Sequence, residues 1–193
     1  ALRSYLRFRI GAGDQVSHLL PVIVSPAEWR LAPLPQVLSP IEVARLLAAF
    51  SPDVPSARRD YAMVRCAVDL GLRANVGCLD LDDIDWSAGT IRIGPTKSRR
   101  VDVLPLPQAT SRAIAAYLRS ERPRTAHRRV FVRQVAPVDK PISSAVVRHV
   151  IRAAYRHAGL PHTRVHLLRH TLASRLLANG GTLKEVADVL RHR

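Results

Sequence analysis

Residues 166–192 read HLLRHTLASRLLANGGTLKEVADVLRH, a pattern of two helices joined by a tight turn. Leu168, Leu172 and Leu176 recur every fourth residue, which makes one apolar face for burial. His166, Arg169, His170 and Ala173 share another face. The spacing predicts a helix over Val165–Ala178, stopped by Asn179-Gly180-Gly181. Thr182-Leu183-Lys184-Glu185 is a capping box, in which Thr182 and Glu185 satisfy each other's backbone N–H groups. It opens a last helix predicted to reach the chain end.

The same grammar extends outward. Ser143–Ala158 is helical, with apolar residues at 147, 150, 151, 154 and 158 and a stop at Gly159 and Pro161. Its other face carries Arg148, Arg152 and Arg156, one per turn. Helices are also predicted over Gln108–Arg122, over Ala57–Leu70 with Gly71 as its stop, and from the Ser39–Glu42 capping box to about Phe50. Between them, Leu79–Leu106 alternates apolar residues (Ile84, Trp86, Ile91, Ile93, Val101, Val103, Leu104) around turns at Ser87-Ala88-Gly89 and Gly94-Pro95. That texture predicts a small three-stranded antiparallel sheet, and a further short strand is expected at Val130–Val132. The fold class is α+β, mainly α. Ala1–Ile10 reads as the end of a helix, Gly11–Gln36 as a proline-rich linker.

The chain has 193 residues, 47% of them hydrophobic, which suits a packed core rather than disorder. Thirty Lys and Arg stand against 15 Asp and Glu, a net charge of +15. Residues 106–193 alone hold seventeen basic and four acidic residues, whereas residues 39–105 balance at nine of each. Such asymmetry points to a polyanionic partner, with an Arg-rich solvated face as the bland alternative. A membrane surface is disfavoured, because no amphipathic helix joins a basic face to large aromatics. No apolar run approaches a membrane span, and no signal peptide opens the chain. Cys66 and Cys78 make neither a disulfide framework nor a zinc site and read as small core residues of a cytoplasmic protein.

Three chemistries compete for the His166/Arg169/His170 face. Two histidines at i, i+4 could hold a metal, but no Glu lies between them, no third ligand is evident, and Arg169 would repel a cation. A solvated polar face is the second reading. A phosphate site is the third: arginine donates paired hydrogen bonds to phosphate oxygens, and imidazole moves a proton.

Three more features belong with this face. Arg73 lies just past the Gly71 helix stop, Lys97 lies in the turn between two predicted strands, and His192 lies on the last predicted helix. With them the sequence resembles the tyrosine recombinase (phage integrase) family over about residues 38–193. Arg73, Lys97, His166, Arg169 and His192 occupy the family's slots in order, and the flanking text GLRA, LDLDDIDW and TKSRRVDVLPLP resembles it too. The resemblance implies a recombinase catalytic domain at residues 39–193, a linker at 11–38, and at residues 1–10 the end of a core-binding helical domain. It implies double-stranded DNA as partner and phosphoryl transfer that needs no metal or cofactor. In the family a tyrosine forms a 3′-phosphotyrosyl link and frees a 5′-hydroxyl. Arg73 and Arg169 would neutralise the phosphorane, Lys97 would protonate the leaving oxygen, His166 would handle the nucleophile's proton, and His192 would hydrogen-bond a phosphate oxygen. Arg99, Arg100, Arg148, Arg152, Arg156 and His170 are the further DNA-contact candidates.

Three departures stand out. No tyrosine follows His192; those present are Tyr5, Tyr61, Tyr117 and Tyr155. The family's acidic residue three positions after the first arginine is Val76 here. Its glycine before the last histidine is Arg191. The expectation is therefore a DNA-binding, cleavage-incompetent chain, with a non-catalytic integrase remnant as the alternative. A monomer is expected in solution, and tetramers on paired DNA sites for a full-length protein.

Overall fold

The computed structural model describes residues 2–23, 36–51, 54–94, 101–138, 140–162 and 164–191. Ala1–Leu34 and Pro35–Arg193 form two compact units. The first holds helix α1 (Leu2–Gly11) and a short 3-10 turn at Ser17–Leu19, with Arg9 paired to Asp14 and donating to the Tyr5 hydroxyl.

The second unit is built around α3 (Ala57–Asp69). Ala62, Met63, Val64, Cys66 and Ala67 are all fully buried, so α3 is enclosed on nearly every side, as a central helix must be. It packs against α2 (Pro40–Ala48), α4 (Gln108–Ser120), α5 (Ser144–His157) and α6 (His166–Ala178). Helix α7 (Leu183–Val189) packs on α6, where Leu172, Val186 and Leu190 form a satellite cluster. Both predicted capping boxes form. Ser39 N–H donates to Glu42 Oε2 at 2.8 Å, and Thr182 N–H to Glu185 Oε2 at 2.8 Å. Those bonds hold both carboxyls below their ordinary pKa.

The sheet is β1 (Ile84–Asp85), β2 (Thr90–Ile93) and β3 (Asp102–Pro105), antiparallel in the order 1-2-3. Ile91 pairs with Ile84 on one side and Leu104 on the other, and these three turn inward with Ile93, while Arg92 and Val103 face out. The Asp85 carboxylate accepts from the N–H groups of Ser87 and Ala88 and closes the first turn.

Four expectations need correction. Trp86 is in that turn, half exposed, and not in a strand. Val130–Val132 is buried but forms no strand: beside the isolated bridges Asp80↔Arg129 and Val132↔Pro141 its backbone makes single hydrogen bonds, such as Val130 N–H to the Leu79 carbonyl, so its apolar content reflects core filling and not a ladder. Cys66 is buried, which pushes its thiol up to about 12, whereas Cys78 is exposed because Val76 takes the inward position of its 3-10 turn. Helix α7 ends at Val189 and does not run on, because Arg191 adopts a left-handed φ of 55°.

Candidate phosphate site

The site begins at the stop of α3. Gly71 takes φ +60°, a conformation that suits a residue without Cβ. A Cβ there would stand 2.9 Å from Leu190 Cδ2 and 3.0 Å from Leu172 Cδ2. The turn after α3, helix α6 and the end of α7 therefore meet at one glycine. Gly71→Ala is expected to cost about 1–3 kcal/mol, from strain plus overpacking of two buried leucines. A urea-unfolding midpoint equal to the parent's would contradict that close fit.

Two residues on, Arg73 leads into a 3-10 turn at Ala74–Cys78 with its side chain exposed. Beneath it Val76 is fully buried, and a Cβ on Gly77 would lie 2.9 Å from the Ile142 carbonyl oxygen. The ground under Arg73 is thus apolar and tightly packed, with no acidic residue in that slot. Arg169, in the first turn of α6, is only 4% exposed, and its Nη1 donates to the Gly71 carbonyl at 2.9 Å. That bond ties the α3 turn to α6. Burial, then the charges of Arg73 and Arg191, lower the Arg169 guanidinium to about 10. It stays charged at neutral pH.

His166 and His170 project from α6 into solvent, one turn apart, flanking Arg169 in sequence. Among the described residues no three His, Cys, Asp or Glu gather as a metal site. Arg148, Arg152 and Arg156 line the exposed face of α5, opposite buried Val147, Ile151 and Tyr155. Lys97, Arg99, Arg100 and His192 lie outside the described residues. Tyr117 and Tyr155 are fully buried, with the Tyr117 hydroxyl accepting from Val132 N–H, and Tyr61 packs edge-on against Phe50. Burial raises the pKa of both Tyr117 and Tyr155. In the sequence Arg191 stands out only as a departure from glycine, yet its charge couples to that of Arg169 and of Arg73.

Asp69, two residues before Gly71, anchors this corner. Its carboxylate accepts from Thr110 Oγ1 of α4 at 2.6 Å and pairs with Arg65 at 2.6 Å and with Arg175 of α6 at 3.7 Å.

A model of the phage integrase family matches residues 36–193. The integrase/recombinase y4rA of Sinorhizobium fredii is 40% identical over 196 residues, covering all of this chain and 47% of that protein. The tyrosine recombinase XerA of Thermococcus kodakarensis is 32% identical over 193 residues, covering all of this chain and 64% of that protein. Among the curated relatives, y4rA and y4rF are matched over about half their length, 47% and 46%. A crystal structure of XerA recombinase superposes with a TM-score of 0.72 at 26% identity, covering 88% of this chain and 60% of that one. A lambda integrase dimer bound to a core site shares the fold at a TM-score of 0.72 and 18% identity, covering 100% of this chain and 66% of that one.

Proposed function

The chain belongs to the phage integrase family, and from that premise we propose that residues 35–193 bind duplex DNA and hold one phosphodiester against Arg73 and Arg169. The observation that carries this reading is the position of Arg169: a guanidinium 4% exposed, with the like charges of Arg73 and Arg191 acting on it. A buried guanidinium with other cations acting on it is costly, and an anionic ligand relieves that cost.

The chemistry follows from the residue types. When a tyrosine hydroxyl attacks phosphorus, the P–O5′ bond breaks and negative charge grows on the non-bridging oxygens. Arg73 and Arg169 neutralise it; His166 takes the tyrosine's proton; Lys97 delivers one to the leaving 5′-oxygen; His192 hydrogen-bonds a phosphate oxygen. The guanidiniums supply the positive charge that a metal ion supplies elsewhere. His170 orients this face. Arg99 and Arg100 beside Lys97, and Arg148, Arg152 and Arg156 on α5, hold the DNA backbone. The nucleophile is a separate matter. Tyr117 and Tyr155 serve the core. Among Tyr5, Tyr61, Tyr117 and Tyr155, the tyrosines of these 193 residues, we assign no nucleophile. We read it as monomeric and cytoplasmic, with tetramers on paired sites reserved for a full-length form.

The test uses a nicked, end-labelled duplex carrying family-type sites. This chain should retard the duplex and leave no detergent-resistant protein–DNA adduct. A chain extended by the codons that follow Arg193 in the source DNA should form a 3′-linked adduct if they encode a tyrosine; Arg73→Ala and Arg169→Ala should abolish it. An adduct from the 193-residue chain would assign the nucleophile to a tyrosine already present. No retardation at 50 mM salt would overturn the reading altogether.

The α5 arginines separate affinity from sequence choice. Replacing Arg148, Arg152 and Arg156 together by alanine should weaken all duplexes about equally. The salt dependence should flatten by about one unit for each phosphate no longer neutralised. Weakening confined to one sequence would make them readers of bases.

A further inference from the structure

The end of α7 carries a guanidinium to which the proposed function gives no role. Leu190 is buried and packs at the Gly71 turn, so the residue after it is delivered to the place where α3, α6 and α7 meet. That residue, Arg191, holds φ +55° while its N–H donates to the Asp188 carbonyl at 2.9 Å. A left-handed residue just past a helix is a position that favours glycine or asparagine, and an arginine there carries backbone strain. Its side chain is half-buried. Burial lowers its pKa, Asp102 at the start of β3 raises it, and Arg73 lowers it. Among the described residues no carboxylate comes within ion-pair distance of Arg191 or of Arg73.

Three cations thus converge from three elements: Arg73 after α3, Arg169 on α6 and Arg191 past α7. The Arg191 position bears backbone strain, and Arg73 repels a charge that Asp102 attracts. Strain of this kind persists at binding sites, where the residue's reach is worth more than its comfort. We propose that Arg191 is a third phosphate-binding residue of this site, set by its left-handed backbone so that its guanidinium meets the same phosphodiester as Arg73 and Arg169. The inference rests on the phosphate site proposed above. Three guanidiniums around one phosphodiester would grip a ground-state anion as well as a developing one, which fits a chain that holds DNA.

The experiment titrates inorganic phosphate into the 193-residue chain and follows Tm, then measures duplex affinity against salt. Arg191→Gly and Arg191→Asn both suit the left-handed backbone, so neither should unfold the protein; Arg191→Gly should raise Tm in phosphate-free buffer. Both should weaken phosphate binding about 10- to 100-fold, the worth of one charge-assisted hydrogen bond, and lower the DNA salt slope by about one. Arg119→Ala, which removes an exposed charge from α4, is the control and should change phosphate binding less than about twofold. If Arg73→Ala and Arg169→Ala weaken phosphate binding and the Arg191 variants do not, Arg191 has no such role and the phosphate site stands. Equal weakening by Arg119→Ala would reduce Arg191 to diffuse charge and overturn the proposal. If none of the three site arginines matters, the phosphate site itself falls, and this inference with it.

Discussion

Between 50 and 200 mM salt, the affinity of this chain for a duplex of about 20 base pairs is expected to fall about 10³–10⁵-fold. The magnitude comes from counterion release: each phosphate neutralised contributes a slope of about 0.9 in log affinity against log salt, and six to ten contacts give this range. Of the 30 basic residues, several are already engaged inside the chain: Arg65 with Asp69, Arg92 with Asp83, Arg128 with Asp82 and Arg129 with Asp80. Their acidic partners all lie in the region where acid and base balance. The excess lies after residue 105, and the exposed Arg148, Arg152 and Arg156 present it along one helix face. A chain whose charge served only solubility would show weak affinity and a shallow slope. Anisotropy titrations at several salt concentrations decide it, and a slope shallower than about two would leave too few phosphate contacts for the proposed function.

What is legible in the sequence is whatever depends on neighbours along the chain. The two capping boxes, Ser39–Glu42 and Thr182–Glu185, form as read because a cap is a contact across three residues. The α6 leucine face and the α5 arginine face follow from helical period alone. The misreadings share a different cause. Val130–Val132 looks like a strand because buried segments of either kind are apolar; only its partners in space show that it has bridges and no ladder. Arg191 looks like a lost glycine, and its meaning depends on Leu190 reaching Gly71, more than a hundred residues away in sequence. Val76 looks like a missing support and is a packed core residue instead. Motif alone picks out Arg73 and Arg169. It cannot pick out the Gly71 carbonyl that joins their two elements, since a backbone acceptor leaves no mark in side-chain text.

That dependence on distant contacts concentrates in Asp69, whose replacement by alanine should cost about 3–5 kcal/mol. Its side chain is 9% exposed and that of Arg65 is 14% exposed, so their ion pair is largely withdrawn from water. Removing one partner of such a pair strands the other's charge, and Arg65 already has its Nε buried without a hydrogen-bond partner among the described residues. Thr110 would lose its acceptor as well. The Arg175 pair adds little, because that side chain is 44% exposed and solvent screens it. A loss of this size is about a fifth or more of the stability of an ordinary domain. Asp69→Asn keeps the volume and an acceptor for Thr110 and should lose less. Arg65→Met in the Asp69→Ala background should recover most of the loss, because an apolar pair replaces a stranded charge. Urea midpoints of these variants and the parent give the coupling directly. A loss below about 1 kcal/mol for Asp69→Ala would mean that water reaches the pair. Asp69 also stands two residues before Gly71 and pairs with Arg175 of α6, so the same change should loosen the seating of Arg169 on the Gly71 carbonyl. Phosphate binding by the folded Asp69→Ala protein should weaken even at temperatures where it is not unfolded, and Arg65→Met should restore its stability more fully than its grip on phosphate.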